Sequence, residues 1–134
     1  MTPTFPLITA GYAAVLGLLA ALLTVRVIVN RVRLRVDAGD GGNPAMAQSI
    51  RAHGNLAEHV PLALLLIAFA ETAGAPALAV HGLGAALLLA RLSSAWGLSR
   101  SLGATSTRQS GAGLTVLVTV VASVLILVRL AAGH

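Results

Sequence analysis

Charged residues divide the chain into long apolar stretches. Three of these stretches carry no charged side chain: 5–25, 72–90 and 109–128. A shorter stretch, 59–70, continues backwards through helix-compatible residues to about Pro44. Crossing a bilayer core of about 30 Å takes about 20 helical residues. The pattern therefore predicts four transmembrane helices near 5–30, 45–71, 76–97 and 108–130.

Composition supports a membrane protein. The 134 residues are 57% hydrophobic and 10% charged, whereas a soluble domain carries roughly 25% charged residues. We therefore expect an all-α integral membrane protein in which residues 1–134 form one domain. The first stretch is predicted to span the membrane rather than to be a cleaved signal peptide, because residues 1–4 lack a positive charge.

Two further counts exclude classes of function. The chain has no cysteine, which excludes a disulfide scaffold, a Cys-ligated metal site and a protein thiolate as nucleophile. Aromatic residues make up only 3%, too few for the stacking platforms that bind single-stranded nucleic acid. No nucleic-acid partner is expected.

The positive charges are distributed unevenly between the two sides of the predicted bundle. All nine are arginine, and all but Arg129 lie at or near the loops that follow the first and third helices. Since cytoplasmic loops are enriched in Arg and Lys, these two loops are predicted to be cytoplasmic and both termini to face the opposite side. Arg31, Arg33 and Arg35 are predicted to bind lipid headgroups there.

Polar residues mark one face of the second predicted helix. Arg51, Asn55 and Glu58 stand at positions i, i+4 and i+7, within about 60° of one another. Arg51 and Glu58 are about 10 Å apart along the helix axis, so each needs its own partner. An ionised side chain inside a span is costly unless it is paired or faces a polar cavity. The pattern predicts either a structural network between helices or a hydrophilic ligand pocket, and the spacing alone does not separate the two.

Arg91 favours the pocket. It lies about two turns before the predicted end of the third helix, at a depth similar to that of the polar face on the second. Two arginines and one glutamate that converge from different helices suit a small zwitterionic or anionic ligand, because a guanidinium binds carboxylates bidentately and stays charged when desolvated.

Neither the loop before the second helix nor the histidines indicate a metal site. Asp37 and Asp40 do not have the spacing of a calcium-binding loop, whereas Asn43 as a helix N-cap and Pro44 as the first helical residue explain the segment. Three histidines lie within the predicted helices: His53, His59 and His81. Their spacing from one another and from the carboxylates does not match a metal-ligand pattern. No metal is expected.

Two neighbouring segments carry a resemblance to a known family. Residues 39–43 (GDGGN) and 50–62 (IRAHGNLAEHVPL) together resemble the second-helix signature of the MAPEG superfamily, the membrane-associated proteins of eicosanoid and glutathione metabolism. The chain is most similar to the short bacterial branch. The likeness extends along essentially the whole chain through four short stretches: Val80-His81 with Gly84, Ala90-Arg91-Leu92, Trp96-Gly97 and Arg108 with Gly111.

The resemblance implies a four-helix bundle that forms a homotrimer in the bacterial inner membrane. It implies that glutathione binds between subunits near the cytosolic side as a co-substrate. Carried over by motif, Arg51, Asn55 and Glu58 would contact glutathione, and Arg91 and Arg108 would complete the site from the adjoining subunit. The implied activity is that of a glutathione-dependent transferase or peroxidase acting on lipophilic electrophiles, with Arg91 and Arg108 as candidates to stabilise the thiolate.

This sequence departs from the catalytic members of the family. Where those with eicosanoid activity carry Tyr or His along the third helix, this chain has Ser93, Ser94, Ala95 and Leu98. An alternative is therefore a membrane protein that binds glutathione or lipid without catalysis. A further alternative is a proton-coupled exporter with Glu58 as the titrating group, although the polar residues cluster toward one side only.

Overall fold

Four long helices make up the part of the chain that the structure describes. The computed structural model describes residues 5–100 and 106–133, with side chains for 5–95 and 111–133. The helices are α1 (Leu7–Leu34), α2 (Pro44–Thr72), α3 (Ala77–Arg100) and α4 (Ser106–Ala131). Each is long and apolar enough to cross a membrane. The prediction of an all-α membrane bundle is confirmed, with helix ends within a few residues of those expected.

The first helix runs about one turn further than the apolar pattern indicated. Its last turn carries Arg31 and Arg33, and cations are favourable at a helix C-terminus. The helix ends at Arg35, which adopts a left-handed conformation with φ 54°. Arg31 Nη1 donates to the carbonyl oxygen of Gly39 at 3.1 Å. Arg31 thus folds the following loop back onto α1, while Arg33 and Arg35 remain exposed.

The start of α2 follows the sequence prediction. Asn43 is the N-cap, and its Oδ1 accepts from the backbone N–H groups of Ala45 at 2.9 Å and Met46 at 3.3 Å. Pro44 occupies the first helical position, where its missing N–H leaves no bond unmade. This cap sets where the polar face of α2 begins.

The second and third helices are central in the bundle. Each packs against the other three helices, whereas α1 and α4 lie apart within the described residues. Buried apolar side chains from all four helices form one core, among them Leu16, Leu56, Ile67, Leu87 and Val118. Many large apolar side chains point outward instead, as on α1 and α4. An exposed apolar surface of this extent marks a membrane-facing protein.

Two glycines allow close approach between helices. A Cβ at Gly111 would meet Ser94 Oγ and lie 2.7 Å from the carbonyl oxygen of Ala90, so α4 lies directly against α3 there. A Cβ at Gly84 would lie 2.6 Å from Cε2 of Tyr12, so the ring of Tyr12 packs on the backbone of α3. Residues without a Cβ let transmembrane helices come this near.

Candidate functional site

The α2 face, defined here as Arg51, Asn55 and Glu58, opens at the surface of the single chain. Arg51 and Glu58 are exposed and Asn55 is half-buried. In the part of the chain that the structure describes, the side chains of Arg51 and Glu58 form no hydrogen bond or ion pair. Their opposite charges are therefore exposed and unpaired among the described residues.

Two grooves border the α2 face. Arg51 lines one of about 250 Å³, between α2 and the loop before it, together with Gly39, Asp40, Ala47 and Ile50. Glu58 lines the other, of about 220 Å³, between α2 and α4. Its remaining lining residues are His59, Leu62, Thr115, Val116, Thr119 and Val120. The two charges of the α2 face thus open into separate grooves.

Arg91 lies inside the bundle and lines neither groove. Its side chain is only 2% exposed. Nη1 donates to the carbonyl oxygen of Asn55 at 3.2 Å, and Nη2 donates to the carbonyl oxygen of Gly111 at 2.9 Å and to Thr115 Oγ1 at 2.5 Å. Within one chain the structure joins Arg91 to Asn55 through the main chain. It does not bring the guanidinium together with Arg51 or Glu58, where the sequence predicted one shared pocket.

Arg108 stands near the start of α4, three residues before Gly111. Its side chain lies outside the residues whose side chains are described, as does that of Leu98. For Arg108 the structure therefore describes the helical backbone only.

Among the side chains that the structure describes, three buried polar atoms have no hydrogen-bond partner: His59 Nδ1, Arg91 Nε and Ser94 Oγ. His59 lines the groove beside Glu58, and Ser94 lies on α3 one turn after Arg91 at 3% exposure. Buried polar groups are usually satisfied by protein, water or ligand. The region between the α2 face and the start of α4 therefore holds spare hydrogen-bonding capacity.

The described histidines and acidic residues are spread along the bundle. Within residues 5–100 and 106–133, no three His, Cys, Asp or Glu side chains are grouped as metal ligands. The histidines instead lie apart, with His81 at the far end of the bundle, where its Nδ1 is 3.3 Å from Tyr12 Oη.

A polar contact that the sequence analysis missed lies at the end of the bundle opposite the α2 face. The Glu71 carboxylate accepts from the backbone N–H groups of Ile8 at 2.9 Å and Thr9 at 2.8 Å, and from Thr9 Oγ1 at 2.6 Å. The sequence signal for this contact was an acidic residue in the last turn of α2, where a negative charge is unfavourable for its own helix. Glu71 joins the end of α2 to the start of α1 and is remote from the candidate ligand surface.

Comparison with known proteins places the chain among membrane proteins. The model of the MAPEG family matches residues 9–128. The inner membrane protein YecN of Escherichia coli, in strains K12 and O6:H1, is 36% identical over 96 residues, which cover 72% of this chain and 73% of that protein. With four apolar helices, these matches support an integral protein of the inner membrane. The extent of the family match, from the start of α1 to the end of α4, shows that the chain belongs to the MAPEG family.

Proposed function

We propose that this protein binds glutathione at the α2 face and acts as a membrane-bound glutathione-dependent transferase or peroxidase on lipophilic electrophiles. The observation that carries the proposal is that Arg51 and Glu58, on either side of Asn55, are exposed and have no partner among the described residues. Glutathione has two carboxylates and one ammonium group. A guanidinium suits a carboxylate, a glutamate suits the ammonium, and an amide such as Asn55 can donate and accept.

Energetics favour a ligand on this face. Both charges belong to a helix apolar enough to span the membrane, and an ionised side chain in such a segment is costly without a partner. Since the chain itself supplies no partner within its described residues, a zwitterionic molecule would offset the cost at both ends of the face.

The grooves also favour a site completed by a second subunit. Small-molecule pockets commonly measure about 300–1,000 Å³, and the grooves beside Arg51 and Glu58 measure about 250 and 220 Å³. Neither alone encloses a tripeptide. We therefore propose the homotrimer that the family resemblance implies, with Arg108 of an adjoining subunit closing the site.

The proposed chemistry uses the ligand's own sulfur, because the chain has no cysteine. A guanidinium near the thiol lowers its pKa from about 8.5 and so raises the thiolate fraction at neutral pH. Of the two candidates we favour Arg108 for this role, since both Nη atoms of Arg91 bond within the bundle. The thiolate then forms a carbon–sulfur bond to an electrophile that arrives from the lipid, and the leaving group departs with the electron pair.

The Arg-rich end of the bundle, defined by the connection 35–43 and the junction of α3 with α4, is proposed to face the cytosol. The arginine bias predicts this orientation. Glutathione keeps cytosolic thiols reduced, so a site at this end would have access to the reduced ligand. Membrane lipid would cover the exposed apolar sides of the helices.

A second candidate function is glutathione or lipid binding without turnover. The observation that favours it concerns α3, where Ser93 is exposed, Ser94 is buried and Ala95 lacks a polar side chain. The single tyrosine of the chain, Tyr12, lies at the opposite end against His81. A phenol is therefore unavailable to the α2 face within one subunit.

Calorimetric titration of glutathione into the detergent-purified protein tests the proposal. The unaltered protein should bind saturably, and Arg51→Ala should weaken binding about 10- to 100-fold, as loss of a bond to a charged group predicts. Arg33→Ala is the matched control, because it removes an exposed arginine at the same end but outside the α2 face, and it should change the affinity less than about twofold.

Absence of binding to a correctly folded oligomer would contradict the glutathione proposal. Where binding is seen, turnover of a lipophilic electrophile such as a halodinitrobenzene or an organic hydroperoxide separates the enzyme from the binding protein. Conjugate or glutathione disulfide formed faster than in protein-free detergent would support the enzyme, and its absence would favour the second candidate.

A further inference from the structure

Arg91 is a buried guanidinium that joins three helices. It projects from α3, is 2% exposed, and donates to one acceptor on α2 and two on α4. All three acceptors are neutral: the carbonyl oxygens of Asn55 and Gly111 and the hydroxyl of Thr115. We call these four residues the Arg91 cluster.

The bonds that Arg91 makes leave no bidentate grip open for a carboxylate. Nη2 has two hydrogens and donates both, to Gly111 and to Thr115. Nε is buried and has no partner among the described side chains. A bidentate grip on a carboxylate needs either both Nη atoms or Nε with one Nη. Because Nη2 is fully used and Nε is enclosed, neither geometry is open in this arrangement.

The acceptors lie at two places that the proposed site depends on. Asn55 is the middle residue of the α2 face, and Arg91 holds its main chain. Gly111 follows Arg108 by three residues, less than one helical turn, and Thr115 Oγ1 also donates to the Gly111 carbonyl at 3.0 Å. A helix transmits the position of one turn to the next. Fixing Gly111 therefore fixes the turn that carries Arg108.

We propose that Arg91 is a positioning residue, which holds Asn55 of α2 and the first turns of α4 at a set separation and does not itself bind the ligand. This inference rests on the proposed glutathione site. It assigns Arg91 a different role from that of Arg51, whose guanidinium is exposed, and it explains why an arginine is buried against neutral acceptors.

Binding measurements with modified ligands separate positioning from direct contact. Arg91→Lys should weaken glutathione binding about 10-fold, as expected when one bond to a charged group is lost. The same factor should appear with glutathione esterified at its glycine carboxylate and with the analogue that lacks the glutamyl α-carboxylate. A residue that contacts one carboxylate would instead lose its effect with the ligand that lacks it.

Thr115→Val provides a second variant that leaves Arg91 in place. It removes one acceptor of the cluster with little change of shape, so it should weaken binding in the same direction, and its effect should not add to that of Arg91→Lys. Ser93→Ala is the matched control, because Ser93 is exposed on α3 and its Oγ donates to the carbonyl oxygen of Leu89 on its own helix. It should leave the affinity unchanged.

A distance measurement tests the cluster without glutathione. The chain has no cysteine, so Ala57→Cys with Gly113→Cys gives one unique pair for spin labels, each two residues from a carbonyl that Arg91 binds. Both positions are exposed. With labelled subunits diluted by unlabelled ones, the α2–α4 distance distribution should broaden or shift in Arg91→Lys and in Thr115→Val, but not in Ser93→Ala.

Each outcome decides the inference. Equal loss of affinity for all three ligands with a broadened distribution supports it. An Arg91→Lys effect that vanishes with one modified ligand would overturn it in favour of direct contact, as would an unchanged affinity and distance in both variants. If the unaltered protein binds no glutathione, the proposed function fails, and the distance distribution alone then supports or overturns the positioning role.

Discussion

At the scale of single residues, the carboxylate of Glu71 caps a helix other than its own. The first helix begins after Pro6 with no side-chain cap from its own segment, so its first N–H groups need acceptors from elsewhere. Glu71 supplies both carboxylate oxygens to Ile8 and Thr9. A negative charge at a helix N-terminus is also favourable to the helix dipole. The contact ties the start of α1 to the end of α2.

Replacing Glu71 by Gln should therefore destabilise the protein. The change removes the charge and one of two acceptors, and a lost cap costs about 1–2 kcal/mol. Unfolding by denaturing detergent, followed by circular dichroism, measures the difference in free energy. Asp37→Asn is the control, since Asp37 is exposed in the first loop. Equal stability of the two variants would show that the Glu71 contact contributes little.

At the scale of helices, the α3–α4 contact depends on Gly111. Its backbone lies against Ser94 and Ala90 on α3, and its carbonyl receives Arg91 Nη2. Close backbone approach lets a buried guanidinium reach acceptors on two neighbouring helices at once. Gly113, two residues on, has open space where a Cβ would stand.

The two glycines should respond differently to alanine. Gly111→Ala places a methyl group 2.7 Å from a backbone oxygen that cannot move freely, so the helices must separate, at a cost of about 1–3 kcal/mol. Gly113→Ala should be neutral or stabilising by up to about 1 kcal/mol, because alanine is the better helix former.

Detergent unfolding of both variants measures this contrast. Glutathione affinity should fall in Gly111→Ala and stay unchanged in Gly113→Ala, since only the former displaces the Arg91 cluster. Similar stability and affinity for the two proteins would contradict the described contact.

At the scale of the whole molecule, the distribution of charge predicts orientation. The long first connection, the end of α3 and the start of α4 lie at one end, and the short connection between Thr72 and Ala77 lies at the other. Arginine is concentrated at the first of these ends. The positive-inside tendency predicts that this end faces the cytosol.

Single cysteines in this cysteine-free chain can test the orientation. Ala38→Cys and Ala77→Cys are both at exposed positions, one at each end of the bundle. A membrane-impermeant maleimide should label Ala77→Cys in intact spheroplasts and Ala38→Cys only after lysis. The reverse pattern of labelling would refute the proposed topology and move the α2 face away from cytosolic glutathione.

Much of the architecture could be predicted from local sequence. The four spans follow from apolar length, and the start of α2 follows from Asn43 and Pro44, because span length and helix capping depend on residues close together in the chain. The partner of Glu71 could not be predicted in this way. Glu71 accepts from Ile8 and Thr9, which lie 63 and 62 positions earlier in the chain. No periodicity within one helix encodes such a contact.

The sequence by itself determined that the chain spans a membrane with four helices and that Arg51, Asn55 and Glu58 share one helical face. Both conclusions depend on composition and on the fixed geometry of the α-helix. Only the tertiary structure decided what each charge meets. It leaves Arg51 and Glu58 open at separate grooves and encloses Arg91 between α2 and α4. The physical reason is that the environment of a side chain depends on which helices pack beside it.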